Sequence, residues 1–262
     1  KDATVVGQDA ENVTMAWRFK GANQGEGDIL DIISSILSNG KAGLFDTDLT
    51  QTMKVQEVGA GTDELHDYTA FIAIGMPNQG QKLEEVRALI LEEMGKLRHG
   101  EFADDLIPAV IANKKLDFYK SLDDNEQRAT MMGNAFINDQ DWAQVANQLE
   151  RQSKLTKKDI VEFAQKYLRD DNFVCVYKRM GEDQTLVKIE KPAITPIPAN
   201  REYESDLLKE VKNSKVTPIQ PQFLDFKKDL TIGKTSKNIP LIYKQNTQDG
   251  LFNLVFRYEF GD

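Results

Sequence analysis

Leu37-Ser38-Asn39-Gly40-Lys41-Ala42-Gly43-Leu44-Phe45-Asp46-Thr47-Asp48-Leu49 joins a helix to a set of strands, and its reading organises the chain around it. Upstream, residues 28–37 open on Asp28 and place Ile29, Leu30, Ile32, Ile33, Ile36 and Leu37 at helical spacing. Gly40 and Gly43 mark a turn, and Leu44, Phe45 and Leu49 begin a second apolar-faced turn. Before the helix, Val13, Met15, Trp17 and Phe19 alternate with Thr14, Ala16 and Arg18, the pattern of a half-buried strand. Residues 21–27 read as a loop. After the turn, strands are expected near residues 55–61 and at 67–76. The second alternates Tyr68, Ala70, Ile72, Ile74 and Met76 on one face before Pro77-Asn78-Gln79-Gly80 breaks it.

Helices dominate the next ninety residues or so. Leu83, Val86, Leu89, Ile90, Met94 and Leu97 repeat at helical spacing, with Gly100 placed to cap the C-terminus. Asp104 and Asp105, with Pro108 in the first turn, start a helix running to about Leu122. Asp123-Asp124-Asn125-Glu126 begins a third, and Trp142, Val145, Ala146 and Leu149 mark a fourth. Thr156-Lys157-Lys158-Asp159 resembles a capping box ahead of Ile160, Phe163, Ala164 and Tyr167, and a strand is expected over 172–179. The order strand, helix, strands, helices, strand implies an α+β fold: a largely antiparallel sheet covered on one face by helices.

From Gly181 the composition changes. Pro192, Pro196, Pro198 and Pro221 punctuate a stretch with one charged helix expected over 203–214, which reads as a linker. Residues 239–244 and 251–260 then look like strands, the last with Phe252, Leu254, Phe256, Tyr258 and Phe260 on one side. Phe256-Arg257-Tyr258 ahead of Gly261 echoes Trp17-Arg18-Phe19 ahead of Gly21, as if a second, related module began near residue 225. The expected organisation is therefore a module over 1–181, a linker over 182–224, and the first strands of a second similar module over 225–262. An apolar strand at 251–260 needs a sheet neighbour, so a homodimer through this C-terminal strand is a further expectation. Position 1 is Lys1 rather than Met, and the chain is expected to be a piece of a longer protein with a targeting segment removed.

Composition narrows the function. The 262 residues carry 33 basic and 42 acidic side chains, a net charge of −9, which argues against a protein that tracks nucleic-acid phosphates. No apolar run is long enough to span a bilayer. The single Cys175 cannot form an internal disulfide and, within Phe173-Val174-Cys175-Val176-Tyr177, reads as a buried structural thiol. Neither histidine belongs to a zinc-peptidase motif. His66 is followed at the third and fourth places by Thr69 and Ala70, and His99 by Phe102 and Ala103, so neither His-x-x-Glu-His nor His-Glu-x-x-His occurs. Both histidines read as surface residues, and no metal site is expected. Gly40-Lys41-Ala42-Gly43 lacks the spacing of a phosphate loop, and Gly59-Ala60-Gly61 is not followed by a helical pattern. Paired acids at Glu84/Glu85, Asp104/Asp105 and Asp123/Asp124 fall at helix starts, where capping and the helix dipole account for them.

The turn over 37–49, the alternating strand at 67–76, and Leu155-Thr156-Lys157-Lys158-Asp159-Ile160-Val161 followed by Asn172-Phe173-Val174-Cys175-Val176 together resemble the insulinase/pitrilysin family of zinc peptidases. The resemblance covers residues 1–181, and more faintly 225–262. It implies homologous α/β modules joined into two halves that close around a substrate chamber, with this stretch similar to the second, non-catalytic module of one half. Asn39, Gly40, Leu44 and Phe45 fit the Gly-rich turn of that module, while Lys41-Ala42-Gly43 is shorter and lacks its Ser-Arg pair. By this resemblance Asn39, Gly40, Gly43, Leu44 and Phe45 are candidates for substrate-chamber or inter-module contact, with no catalytic or metal-binding residue in the chain. Zinc is expected only in a catalytic module of the same parent chain, and peptides are the expected substrates. A bacterial periplasm or cell envelope is the preferred compartment. The alternatives are a non-proteolytic structural or assembly protein reusing the fold, and an unrelated α+β peptide-binding domain.

Overall fold

A computed structural model describes residues 1–185, 187, 189–197, 199–247 and 250–260. The chain divides into two units, Lys1–Val187 and Lys188–Asp262. In the first, β1 (Asp2–Gly7) and β2 (Asn12–Lys20) precede α1 (Gly27–Leu37). Then come β3 (Glu57–Glu64), β4 (Tyr68–Met76), α2 (Leu83–His99), α3 (Leu106–Ser121) and α4 (Asn125–Ile137). The unit closes with α5 (Trp142–Ala146), α6 (Gln148–Gln152), α7 (Lys157–Tyr167) and β5 (Val174–Met180).

The five strands form one sheet in the order β1-β5-β2-β4-β3. The pairs β5–β2, β2–β4 and β4–β3 are antiparallel, and only β1 against β5 is parallel. The period of two in β2 sends Val13, Met15, Trp17 and Phe19 into the core and leaves Arg18 exposed. In β4 the buried set is Thr69, Phe71, Ala73 and Gly75, so the alternating row of Tyr68, Ala70, Ile72, Ile74 and Met76 lies on the sheet's other face.

Helices cover the buried face. Leu30, Ile33 and Leu37 of α1 and Val86, Ile90, Met94 and Leu97 of α2 join the strand side chains in one hydrophobic cluster, with Ile160 and Ala164 of α7. Trp17 belongs to the same cluster, its ring centroid 5.1 Å from that of Phe173 and 5.9 Å from that of Phe71. Its indole N–H donates to the Arg169 carbonyl at 3.1 Å, so the polar atom of this buried ring is satisfied. Cys175 is fully buried, and burial pushes its thiol above the ordinary range, the environment of an inert structural cysteine. The capping box of α7 is present: Thr156 accepts from the Asp159 N–H while the Asp159 carboxylate accepts from the Thr156 N–H.

The expected fourth helix over 142–149 is two short ones, α5 and α6, separated at Asn147, whose side chain donates to the Ala143 carbonyl at 2.8 Å. The first strand, β1, was not among the expected elements.

In the second unit, α8 (Asp206–Asn213) starts at Ser205, whose hydroxyl accepts from the Leu208 N–H. It occupies the middle of the helix expected over 203–214. Strands β6 (Thr231–Lys234) and β7 (Pro240–Tyr243) pair as an antiparallel hairpin. Residues 251–260 form no strand, contrary to expectation: an alternating segment becomes a strand only with a neighbour to bond, and none of the described strands pairs with it. Gly261, which completes the sequence echo, lies outside the described residues.

Candidate functional site

The turn after α1 is held together by one carboxylate. Asp46 is buried, and its Oδ2 accepts backbone N–H bonds from Asn39 at 2.8 Å, Gly43 at 3.0 Å and Lys41 at 3.1 Å. A second side chain works from the rim: Asn39 Oδ1 accepts from the Ala42 N–H at 2.9 Å and the Lys41 N–H at 3.1 Å, while its Nδ2 donates to the Ser35 carbonyl. The convergent N–H groups of this turn, which would otherwise form an anion-binding concavity, are thus occupied from within the protein. The loop is a built, internally satisfied structure.

The glycines make that geometry attainable. Gly40 has φ +79°, a left-handed conformation that strains any residue with a Cβ. A Cβ built on Gly43 would fall 2.4 Å from the Leu37 carbonyl oxygen, so the end of α1 and the turn approach too closely for a side chain. Immediately after, residues Asp46–Thr50 form a π-helical turn in which the Gln51 N–H reaches back to the Asp46 carbonyl at 2.9 Å.

The five residues assigned to contact separate into two groups. Asn39 and Gly40, with Lys41 and Ala42 between the glycines, are exposed. Gly43 is buried, Phe45 is fully buried and Leu44 nearly so, both of the last two within the hydrophobic cluster. The aromatic and aliphatic pair thus anchors the loop, and the surface it presents is 39–42.

Next to this loop lies an ion cluster that no sequence motif announces. Lys96 of α2 donates to Asp48 Oδ2 at 2.6 Å and Glu93 Oε1 at 2.9 Å. These two hydrogen bonds hold the Lys96 ammonium protonated well above the usual lysine range. The Lys96 bond lowers the Asp48 carboxyl below its ordinary value. Burial moves Glu93 the other way: its side chain is 1% exposed, its Oε2 has no hydrogen-bond partner, and desolvation raises its pKa. One lysine therefore serves two carboxylates, and the one on α2 is incompletely satisfied.

The residues do not fit a zinc site. His66 stands exposed at the β3–β4 turn with Nδ1 2.7 Å from Asp67 Oδ1, and His99 is the exposed last residue of α2. Among the described residues no group of three or more His, Cys, Asp or Glu side chains is arranged to hold a metal ion.

The sheet offers a different kind of surface. Among the described residues β3 is an edge strand, paired only with β4. Leu65 N–H donates to the Tyr68 carbonyl at 3.1 Å, and the two-residue alternation of an antiparallel ladder then turns the N–H groups of Val58, Ala60 and Thr62 away from β4. Gly59 and Gly61 line a shallow depression of about 340 Å³ with Ile72 and Ile74 on the face that the helices leave uncovered.

A search of curated proteins finds no match. The family model described as the peptidase M16 inactive domain matches residues 3–114, from β1 into α3. A protease from Helicobacter pylori shares the fold at TM-score 0.64 and 20% identity, the alignment covering 68% of this chain and 44% of that one. An inactive peptidase domain from Bordetella parapertussis does so at TM-score 0.59 and 16% identity, over 69% of this chain and 97% of that one. A chain of complex III2 from Candida albicans has TM-score 0.57 and 10% identity, over 68% of this chain and 45% of that one. This chain therefore spans less than half the length of the Helicobacter protein and all but the whole of the Bordetella domain. Residues 3–114 thus match the inactive domain of M16 peptidases, in line with the resemblance to the insulinase/pitrilysin type read from the sequence.

Proposed function

We propose that this chain is a non-catalytic portion of a zinc-dependent endopeptidase, forming part of a substrate chamber and supporting a catalytic module that lies outside these residues. The observation that carries the reading is the match of residues 3–114 to the M16 inactive domain. In the family pattern the hydrolytic metal belongs to the His-x-x-Glu-His module, absent from this sequence, so this chain's contribution is to bind and position. Zinc in that other module would supply the activated water.

Two surfaces suit such a role. The unpaired edge of β3 can accept an extended peptide as an added strand, its outward N–H and C=O groups providing sequence-tolerant bonds. The exposed 39–42 segment, rigid because Asp46 and Asn39 hold it, provides a second contact for substrate or for the neighbouring module. The uncovered sheet face, with Tyr68, Ile74, Val174 and Met180 exposed, is apolar enough to pack against another module.

The edge contact is tested by Ala60→Pro. The Ala60 N–H is not used in the β3–β4 ladder, and edge strands tolerate proline at such positions. The fold should therefore persist while binding of an unfolded, fluorescently labelled peptide weakens at least about tenfold, the loss of one or two strand-addition hydrogen bonds with their register. Unchanged peptide affinity in a folded Ala60→Pro protein would exclude β3 as the contact.

A second reading, a structural or assembly role without proteolysis, is favoured by the shared fold with a chain of the Candida albicans complex. It predicts stable association with other subunits and no measurable affinity for unfolded peptides.

A further inference from the structure

A polar cavity of about 420 Å³ opens between the β2–α1 loop, the end of β3 and the α5–α6 segment. Its walls include Asn23, Asp28, Glu64, Gln144, Gln148 and Arg151. Most charges around it are already matched. Arg151 grips Asp28 with Nε at 2.6 Å and Nη2 at 3.2 Å, and its Nη1 donates to the Gln144 carbonyl. Behind the wall, Asp31 is paired with Lys114 at 2.7 Å and receives the Gln152 amide at 2.8 Å.

Glu64 is the exception. Its carboxylate accepts no hydrogen bond and pairs with no cation among the described residues, although it is packed so closely over the first residue of α1 that a Cβ on Gly27 would lie 2.4 Å from Oε1. Burial raises its pKa, with the charges of Asp31 and Asp28 adding to the effect. In the same cavity Asn23 Oδ1 is buried without a partner. Gln144 and Gln148 add two more side-chain amides to the wall.

A buried acceptor left unmatched costs stability, and this cavity holds one, Asn23 Oδ1, beside a partly buried carboxylate with no protein partner among the described residues, a pairing that suits a group that donates. An anion is disfavoured by Glu64 and Asp28. A metal ion is disfavoured because the cavity presents one unpaired carboxylate and neutral amides, with no set of three acidic or imidazole ligands among the described residues. A planar or tetrahedral organic cation fits the donor count: it can give one charge-assisted bond to Glu64 and further bonds to amide oxygens. The cavity is large enough for the end of one long side chain and sits in the volume range of small-ligand sites.

We propose that this cavity binds the guanidinium or ammonium group of a basic side chain carried by a peptide, with the Glu64 carboxylate and the Asn23 amide as its acceptors. That the carrier is a peptide rests on the function proposed above; that the group is cationic rests on the cavity alone. The two are separable by experiment.

N-acetylarginine amide and its neutral isostere N-acetylcitrulline amide are titrated into isotopically labelled protein. The arginine compound should move the backbone amide signals of Asn23, Gly27 and Gln144, the citrulline compound should not, and Glu64→Gln should weaken the arginine response about tenfold, the loss of one buried charge-assisted hydrogen bond. Gln144→Glu, at the exposed rim, should strengthen it. Shifts outside the cavity, no shifts, or an unaltered response in Glu64→Gln with its fold intact would overturn the assignment. Two otherwise identical peptides, one with arginine and one with citrulline, then test the carrier. Preference for the arginine peptide that disappears in Glu64→Gln supports the whole proposal. Equal, Glu64-independent binding of both overturns the site and leaves the peptide reading standing. Binding of neither peptide, with the amide compound still seated on Glu64, contradicts the peptide reading and leaves the cation site.

Discussion

Removal of the Asp46 carboxylate tests the idea that the turn after α1 is a built element. Asp46→Ala withdraws the acceptor from the N–H groups of Asn39, Lys41 and Gly43 at once. Asn39 and Lys41 are exposed, so water replaces Asp46 there, and each loss costs about 0.5–1 kcal/mol. Gly43 is buried between α1 and the loop, so its N–H is left without a partner, at about 1–3 kcal/mol. The sum is about 3 kcal/mol, which for a unit of this size lowers the unfolding midpoint by about 6–12 °C. Urea denaturation and calorimetry measure the global term, and hydrogen exchange at the Gly43 amide reads the local one. Lys41→Ala, which removes an exposed side chain and keeps every backbone bond, is the control and should stay within about 0.5 kcal/mol of the parent. If Asp46→Ala were as stable as Lys41→Ala, with Gly43 still protected from exchange, the carboxylate would not be what organises this turn.

The same geometry sets other outcomes. Asp48 has its pKa lowered by Lys96, so its contribution is present above the ordinary aspartate range and is lost as pH falls through its folded pKa. Asp48→Asn should accordingly be less stable than the parent at pH 7 by about 1 kcal/mol, with the gap closing toward acid in urea titrations at a series of pH values. Glu93 has its pKa raised by burial, so the sign reverses: its contribution is full below the ordinary glutamate pKa and is lost as pH rises through its folded value. The parent should therefore lose stability relative to Glu93→Gln as pH rises through that window. Gly43→Ala should cost more than Gly40→Ala in the same assay. The first meets backbone at 2.4 Å, while the second has open space and only a left-handed φ to bear, at about 1 kcal/mol. Phe45→Ala empties a fully buried site and should cost about 3–5 kcal/mol, enough for thermal denaturation to show a much weakened first unit.

The parts of this fold that sequence periodicity reveals are those with long, one-sided patterns. β2, α1 and α2 each bury a regular row of large apolar side chains, and their strength in the sequence is the strength of their packing in the core, whereas the apolar alternation of β4 runs along the sheet's other face. β1 escapes the same reading because its only large apolar residues, Val5 and Val6, are adjacent and both half-exposed on an edge. Residues 251–260 fail in the opposite sense: a clean alternation without a partner strand to bond. Asn147 divides α5 from α6 through a local side-chain bond, a competition with the helix that period counting does not register.

The site was legible only in outline. Leu44 and Phe45 are apolar residues beside glycines, and the core claims them. Asp46 shows no pattern because a carboxylate that binds backbone N–H groups leaves no trace in neighbouring residue types. Asp48, Glu93 and Lys96 sit on two elements, and Asn23, Glu64 and Gln144 on three, so tertiary structure alone brings them together.

On the function proposed above, this chain binds peptide without cutting it. Mass spectrometry of a labelled unfolded peptide, incubated with the protein in excess zinc, tests it directly. Intact peptide is expected at every protein concentration while anisotropy reports it bound. Fragments that accumulate in proportion to the protein, and cease when a chelator removes the zinc, would contradict it.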